Sequence, residues 1–152
     1  MKGPTITIKP FQALTTLELH DLLRLRVDVF VVEQRCPYAE IDGLDPTAEH
    51  VLALDPADGL IGYARMLPPS TDGLPHIGRV VVDPRHRNKG IAAELMRAAM
   101  EWLAERYGSP RNALSAQAHL VGMYGRLGYR ETGPVYDWDG IPHVDMVFNA
   151  EG

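Results

Sequence analysis

The run Val80-Val81-Val82-Asp83-Pro84-Arg85-His86-Arg87-Asn88-Lys89-Gly90-Ile91-Ala92 decides the fold that this sequence can adopt. The run begins with β-branched residues, which predict a central strand buried on both faces, and Pro84 ends that strand. A short basic loop and the first turn of an amphipathic helix follow at once. The unpaired N–H groups and the dipole of such a helix start favour a phosphate or pyrophosphate, and Gly90 lets the anion approach the backbone. A basic turn without a ligand is the alternative, since the spacing matches neither the Walker pattern nor Gly-x-Gly-x-x-Gly.

The segments before this run show strand and helix patterns in turn. Thr5 to Lys9 alternates with a period of two, which indicates a half-buried strand. A capping box, Thr15 with Glu18, starts a helix that is expected to reach about Phe30. Its four clearly solvent-exposed positions are expected to be Asp21, Arg24, Arg26 and Asp28. Turn formers at residues 55–59 then separate two further strands, His50 to Leu54 and Leu60 to Met66.

The segments after the run complete a mixed order of elements. A helix from about Gly90 to Tyr107 precedes a strand, Ala113 to Ala118, and a short helix, Leu120 to Leu127. Two final strands, Tyr129 to Trp138 and His143 to Phe148, flank Asp139-Gly140, a type I′ hairpin signal. This order predicts an α/β (α+β) fold in three layers, with a mixed central sheet of about seven strands and flanking helices.

Composition bounds the class of protein. The 152 residues fit one domain, residues 1–152, and 15 Lys and Arg against 20 Asp and Glu give a net charge of −5. That charge argues against nucleic-acid binding. The one cysteine, Cys36, allows no intramolecular disulfide, and the six histidines lack metal-ligand spacing, so no metal is expected. Without a signal peptide or an apolar run of about 20 residues, a cytoplasmic protein with no membrane contact is expected.

The charge is unevenly distributed along the chain. Residues 28–58 carry eight acidic side chains against one basic one, whereas residues 77–89 carry four basic side chains against one acidic one. Two partners of opposite charge are therefore conceivable, and two solvated loops are the equally weighted alternative.

Two motifs resemble those of the GNAT superfamily of acyl-CoA-dependent N-acyltransferases. Its phosphate loop, Arg/Gln-x-x-Gly-x-Gly/Ala, is satisfied by Arg87-Asn88-Lys89-Gly90-Ile91-Ala92. Downstream, Ala118-x-x-x-x-Met123-Tyr124-x-x-x-Gly128-Tyr129 is similar to the later family signature, in which a Tyr faces the thioester. Similarity to the ElaA-like branch runs through Val29-Phe30-Val31-Val32-Glu33-Gln34-x-Cys36-Pro37-Tyr38, Asp42-Gly43, Ala116-Gln117-Ala118-His119 and Asp139-Gly140-Ile141-Pro142-His143.

The resemblance implies acetyl-CoA as cosubstrate and a sheet that is splayed in its middle. The backbone of Val80 and Val82, in the strand that also holds Val81, would bond the pantetheine arm as an added strand, next to a bulge that opens the slot. The backbone N–H of Val82 would donate a hydrogen bond to the thioester oxygen. Amides of the loop, Arg87, Asn88, Lys89, Gly90, Ile91 and Ala92, would hold the pyrophosphate. Asn88 departs from the pattern, because the family often has a second Gly there.

The reaction implied is direct acetyl transfer to a primary amine. Tyr124 is the expected general acid to the CoA thiolate, although a phenol pKa near 10 lies above a thiol's pKa of about 8.5. For the general base, His119, Glu33 and a water oriented by Gln117 stay open.

The acceptor amine would be drawn to the acidic stretch from Glu33 to Asp45. Its expected binding residues are Glu33, Gln34, Tyr38, Asp42 and Gln117, whereas Glu40 and Asp45 are expected to be solvent-exposed. A nucleophilic role for Cys36 is disfavoured, because no His adjoins it in sequence and direct attack needs no acyl-enzyme.

Other functions remain compatible with the sequence. The first is a CoA-binding sensor of the same fold without turnover, and the second is a doubly wound phosphate-ligand protein. The acceptor itself, a protein amine or a small molecule, is not specified by the sequence. The apolar final strands are expected to allow edge-to-edge pairing in a homodimer.

Overall fold

One mixed sheet organises the computed structural model, which describes residues 3–149. The predicted domain, residues 1–152, exceeds this range, and residues 1, 2 and 150–152 lie outside the described residues. The described strands are β1 (Thr5–Pro10), β2 (Glu49–Asp55), β3 (Gly59–Leu67), β4 (His76–Val82), β5 (Asn112–Gln117), β6 (Tyr129–Glu131), β7 (Tyr136–Trp138) and β8 (Ile141–Phe148). They lie in the order β1-β2-β3-β4-β5-β8-β6, and β7 pairs with β8.

The helices cover both faces of this sheet. They are α1 (Thr16–Arg26), α2 (Ile91–Tyr107) and α3 (Val121–Arg126), with short 3₁₀ turns at Phe11–Ala13, Asp45–Thr47, Pro84–His86 and Ala118–Leu120. Leu95, Met96 and Leu103 of α2 pack on one face, where β2 contributes Val51 and Ala53. On the other face Leu22 of α1 packs with Leu52 and Tyr63. The mixed sheet with flanking helices that the sequence predicts is thereby confirmed.

The first helix begins as predicted but changes its winding before it ends. Thr15 and Glu18 form both hydrogen bonds of the capping box, at 3.0 and 2.9 Å. The expectation of one helix to Phe30 is wrong, because α1 ends at Arg26 and a π-helical segment, Val27–Glu33, follows. Its β-branched residues, which lose rotamer freedom in an α-helix, account for the looser winding. The wider turn carries Phe30 and Glu33 to the cleft described below.

The sheet opens between β4 and β5. These parallel strands are paired only at His76 and Ala113, and a register shift opposite Tyr63 to Arg65 of β3 marks a bulge in β4. Arg79 adopts a φ of +53° at this bulge. The expectation that β4 is buried on both faces is wrong, since only Ile77 and Val81 of the strand are buried, and the other side chains border the gap.

The last part of the chain forms three strands instead of the two predicted. The expected strand from Tyr129 to Trp138 is interrupted at residues 132–135, where Gly133 and Pro134 cannot continue a ladder. Asp139 and Gly140 have φ values of +54° and +81°, as a type I′ turn requires, so the predicted hairpin is confirmed. None of the described helices has the length and apolar character needed to cross a membrane.

A cluster of six charged side chains, four of them buried, ties the loop after the π-helical segment to the sheet. We call it the arginine–carboxylate cluster, and its members are Arg26, Arg65, Arg79, Glu40, Asp42 and Asp45. Arg26 is fully buried and donates to Glu40 Oε2 and Asp45 Oδ1, each at 2.7 Å. Arg65 bonds Asp42 and Asp45, and Arg79 bonds Glu40 at 2.7 Å. Arg26, Glu40 and Asp45 were expected to be exposed to solvent, and this expectation is wrong because all three are buried. Their burial is tolerated because each charged group is paired with one of opposite sign.

The arginines make this cluster sensitive to acid. Burial raises the pKa of Asp42, but hydrogen bonds from Arg65 and the Leu44 amide more than offset it and lower that pKa to about 2. A lowered pKa in the folded state gives stability that is present above the ordinary pKa near 4 and is lost as pH falls towards 2.

We therefore expect Asp42→Asn to lower the free energy of unfolding at pH 7 by about 1–2 kcal/mol, with water around Asp42 favouring the lower value. Urea titrations at pH 7 and pH 2 measure this difference, which should shrink to a small fraction at pH 2 because wild-type Asp42 is then about half protonated. Asp28→Asn is the matched control, since Asp28 is exposed and pairs with Arg24 at 3.6 Å only. An equal loss in both variants at pH 7 would contradict the role of the cluster.

Candidate active site

The gap between β4 and β5 opens into a cleft of about 880 Å³. The π-helical segment borders it on one side, and α3 and the start of α2 border it elsewhere. Its walls include Val29, Val81, Ile91 and Tyr124. A cleft of this volume that follows a strand edge can hold an extended ligand.

The free edge of β4 faces the gap. The Asp83 N–H donates to the Ile61 carbonyl at 2.8 Å and so points towards β3. Because successive backbone N–H groups along a strand point to opposite edges, those of Val82 and Val80 point to the cleft. Both residues line it. An extended amide chain can therefore add to this edge by main-chain hydrogen bonds.

The cleft leads to the start of α2. Gly90, with a φ of +76°, turns the chain into the helix and accepts a bond from the Glu94 N–H at 3.1 Å. Within residues 3–149, no backbone carbonyl outside the helix accepts from Ile91, Ala92 or Ala93. Asn88 has a φ of +63°, a left-handed conformation that Asn tolerates better than most residues, so replacing the family's Gly costs the backbone little. The loop can thus present several N–H groups to an anion.

Two residues that the sequence assigns to different ligands are bonded to each other. Arg87 and Glu33 form a two-fold ion pair, with both nitrogen–oxygen distances at 2.7 Å. The hydrogen bond from Arg87 lowers the pKa of the Glu33 carboxyl. Arg87 Nε also lies 3.4 Å from the Val82 carbonyl, so this pair bridges the cleft across the free edge of β4.

Two arginines near the phosphate loop, Arg97 and Arg126, were not among the predicted site residues. Arg97 and Arg126 line the cleft, and neither forms an ion pair within the described residues. Arg97 lies four residues after Ala93, hence on the same face of α2, and that spacing is the signal that could have found it. Lys89 Nζ lies 3.5 Å from His86 Nδ1 without an acidic partner among the described residues. The cleft therefore carries more positive than negative side chains.

Tyr124 lies in α3 on the wall of the cleft. Its ring is buried and packs edge-on against Tyr129 with 6.0 Å between centroids. No group in residues 3–149 forms a hydrogen bond with its hydroxyl. Burial raises the pKa of Tyr124 to about 12. A neutral hydroxyl is thus held at the cleft as a hydrogen-bond donor.

The residues predicted to bind the acceptor fall into two groups. Gln34 and Gln117 face each other through their side-chain amides at 3.2 Å, and both line the cleft together with Tyr38, Glu33 and the exposed His119. Tyr38 donates to Glu40, and Arg79 lies over its ring at 5.9 Å. Asp42 does not line the cleft, because its carboxylate is bound by Arg65 and Arg79.

A side pocket of about 60 Å³ adjoins the cleft where β7 and β8 meet the loop after the π-helical segment. Trp138 and His143 line both cavities, and Cys36 Sγ donates to the Asp139 carbonyl at 3.1 Å at the rim of the pocket. The sequence analysis used His143 only as part of a motif and missed its position here. Within residues 3–149 no three His, Cys, Asp or Glu side chains lie close enough to share a metal ion.

Comparisons with known proteins agree with this architecture. Residues 19–150 match the family model of the acetyltransferase (GNAT) domain. The chain is 38% identical to a UPF0039 protein of Schizosaccharomyces pombe over 147 residues, which is 96% of this chain and 97% of that protein. It is 40% identical to the protein ElaA of Escherichia coli over 136 residues, 88% of each chain.

Solved structures give the same result. A crystal structure of an acyl-CoA N-acyltransferase from Pseudomonas aeruginosa superimposes with a TM-score of 0.88 at 40% identity, covering 95% of this chain and 99% of that one. Escherichia coli ElaA superimposes with a TM-score of 0.88 at 36% identity, covering 96% and 99%. A sheet that opens at a bulge, a phosphate-type loop at a helix start and these similarities agree: the chain belongs to the ElaA-like branch of the GNAT acetyltransferase family.

Proposed function

We propose that this protein transfers the acetyl group of acetyl-CoA directly to a primary amine. The observation that carries the proposal is the continuous path from the free edge of β4 to the first turn of α2, with Tyr124 on the wall of the same cleft. The acyl-CoA N-acyltransferase of Pseudomonas aeruginosa, 40% identical over nearly the whole chain, supports the acyl-CoA class. The choice of acetyl as the acyl group is part of the proposal.

The backbone supplies most of the proposed cosubstrate site. Val80 and Val82 would bond the amides of the pantetheine arm, as a strand does on a free sheet edge, and the Val82 N–H would bond the thioester oxygen. The amides from Asn88 to Ala92 would hold the pyrophosphate with the help of the α2 dipole. Lys89, Arg97 and Arg126, which have no acidic partner among residues 3–149, would offset the remaining phosphate charge. Arg87 would also bind a phosphate once its ion pair with Glu33 is broken.

Tyr124 is the proposed acid to the sulfur. With a pKa of about 12, it stays protonated at any pH used in an assay. A thiol has a pKa of about 8.5, so complete proton transfer from such a phenol is uphill, and its main contribution is a hydrogen bond to the sulfur as negative charge develops. The thiolate then takes its proton from solvent.

The proposed acceptor site is the part of the cleft around Gln34, Gln117 and Tyr38. The acids that were expected to attract a cation are largely engaged, because the arginine–carboxylate cluster pairs three carboxylates with three guanidinium groups and Glu33 is bound by Arg87. We therefore leave Asp42 out of the acceptor site. Amide and aromatic groups would orient an amine here with little net attraction for positive charge.

The phosphate site is tested by a charge placed in the first turn of α2. Ala92→Glu should raise the Kd for acetyl-CoA by about 10- to 100-fold, since a carboxylate beside the pyrophosphate costs about 1–3 kcal/mol. Isothermal titration calorimetry measures this change. The helix itself should not suffer, because acidic side chains suit an N-terminal turn.

Thr16→Glu is the matched control, since it puts the same charge in the first turn of α1, outside the cleft. Its Kd for acetyl-CoA should equal that of the wild type. Equal Kd values for both variants would place the pyrophosphate elsewhere.

The role of Tyr124 is tested by Tyr124→Phe, which should lower kcat by about 10²- to 10⁴-fold and leave the Kd for acetyl-CoA unchanged. Because no described residue bonds the hydroxyl, the melting temperature should hold. Release of free thiol with a panel of primary amines is the measurement, and Tyr107→Phe, at the exposed end of α2, is the control. Full kcat in Tyr124→Phe with a verified acceptor would remove the acid from the mechanism.

Tight binding of acetyl-CoA by the wild type without thiol release would favour a CoA-binding sensor.

A further inference from the structure

The geometry points to His143, which the sequence analysis did not consider as a base, as the general base that takes the proton from the acceptor amine. This inference rests on the proposed function and names the general base, for which the sequence left His119, Glu33 and a water oriented by Gln117 open. His143 lies in β8 directly opposite Gln117 of β5. It lines both the main cleft and the side pocket. Directly opposite residues of an antiparallel pair put their side chains on the same face, so the imidazole and the Gln117 amide lie side by side.

A hydrogen bond holds the imidazole in the state that a base requires. His143 Nδ1 lies 2.7 Å from the carbonyl oxygen of Ile141. A carbonyl can only accept, so Nδ1 carries the hydrogen and, in the neutral ring, Nε2 carries the lone pair. Among the described residues no group bonds Nε2. The basic nitrogen is therefore free to accept a proton.

Two aromatic rings fix the plane of the imidazole. The Tyr136 ring stacks on the imidazole with 6.2 Å between ring centroids and an interplanar angle of 26°. The Trp138 ring packs against it at 5.2 Å with an interplanar angle of 55°. Both belong to β7, which pairs with β8 through the Asp139-Gly140 turn. The Cys36 thiol anchors this turn to the loop after the π-helical segment. A base on a rigid hairpin keeps its orientation when the acceptor binds.

The other candidate bases in the cleft are engaged or lack such support. Glu33 is bound by Arg87 through both oxygens, and that contact lowers its pKa, which makes it a weaker base. His76 and His86 direct Nε2 to Asp72 and Asp58, each at 2.7 Å. His119 is exposed, and no described residue forms a hydrogen bond that would set its tautomer. The contacts of His76 and His86 also set a tautomer, but neither residue lines the side pocket, whereas His143 lines it together with Gln34, Tyr38 and Gln117 of the proposed acceptor site.

Proton transfer to His143 accompanies the attack of the amine on the thioester. An acceptor that arrives as an ammonium ion first gives one proton to His143 Nε2, which passes it to solvent. The neutral amine nitrogen then forms a bond to the thioester carbon, one N–H proton passes to His143 Nε2, and the C–S bond breaks with its electron pair on sulfur. Tyr124 hydrogen-bonds that sulfur until solvent protonates it. His143 then returns its proton to solvent, so the net change is an amine and a thioester converted to an amide and a thiol.

Two peptides that differ in one amine serve as acceptors in the kinetic test. One carries a free α-amine, with a pKa near 8, and the other is N-acetylated and carries a single lysine, with a pKa near 10.4. His143→Gln should lower kcat/KM at pH 7 by about 10²- to 10⁴-fold, and the loss should shrink as pH approaches the pKa of the amine. The Kd for acetyl-CoA should stay at the wild-type value. His20→Gln, on the exposed face of α1, is the matched control.

The outcomes separate this inference from the proposed function. If the wild type acetylates an amine and His143→Gln equals His20→Gln at pH 7, the inference is overturned and the proposed function stands. A large loss confined to His119→Gln would also overturn it. If the wild type binds acetyl-CoA but releases no thiol with either peptide or the amine panel, the proposed function fails and the inference fails with it.

A second measurement needs no activity. Long-range ¹H–¹⁵N spectra of the free protein should place the hydrogen of the neutral His143 ring on Nδ1, and His143→Gln identifies the signal. A hydrogen on Nε2 of the neutral ring would overturn the inference.

Discussion

The fold depends on a strand that keeps one edge without a strand partner. A parallel pair normally bonds along its length, yet β4 and β5 pair at a single position. The N–H and C=O groups so released must be satisfied by solvent or a ligand, and this requirement creates the cleft. The bulge at Arg79 produces the separation, with a φ of +53° that a residue with a long side chain rarely adopts. Contacts outside the strand must hold it.

The arginine–carboxylate cluster supplies those contacts. Arg79, at the bulge itself, donates to Glu40 and Asp42, and Arg26 and Arg65 hold the same carboxylates and Asp45 from α1 and β3. One network thereby fixes the splayed strand, the first helix and the loop that borders the acceptor side of the cleft. Because breaking a buried pair leaves an uncompensated charge, the parts of this network depend on one another.

Charge has a different meaning in the folded chain than along the sequence. The acidic residues 28–58 look like a surface for a cationic partner, whereas the fold binds the carboxylates of Glu33, Glu40, Asp42 and Asp45 to arginines. At the other end of the cleft, Arg97 and Arg126 line it together with Arg87 and form a positive region that the local run of bases only partly indicated. A net charge of −5 is thus compatible with a site for a polyanion.

The sequence by itself determined the elements whose causes are local. The capping box of Thr15, the Asp139-Gly140 turn, the helix after Gly90 and the motifs of the family all follow from residues close together in the chain, and they were enough to identify the family and its sheet. Tertiary structure decided the burial of Arg26, the pairing of Glu33 with Arg87 and the place of His143 beside Gln117. These features depend on groups between 14 and 54 positions apart. Such distant groups meet only after the sheet has formed, because a sequence pattern specifies which residues are apolar or charged but not which distant partner each one finds.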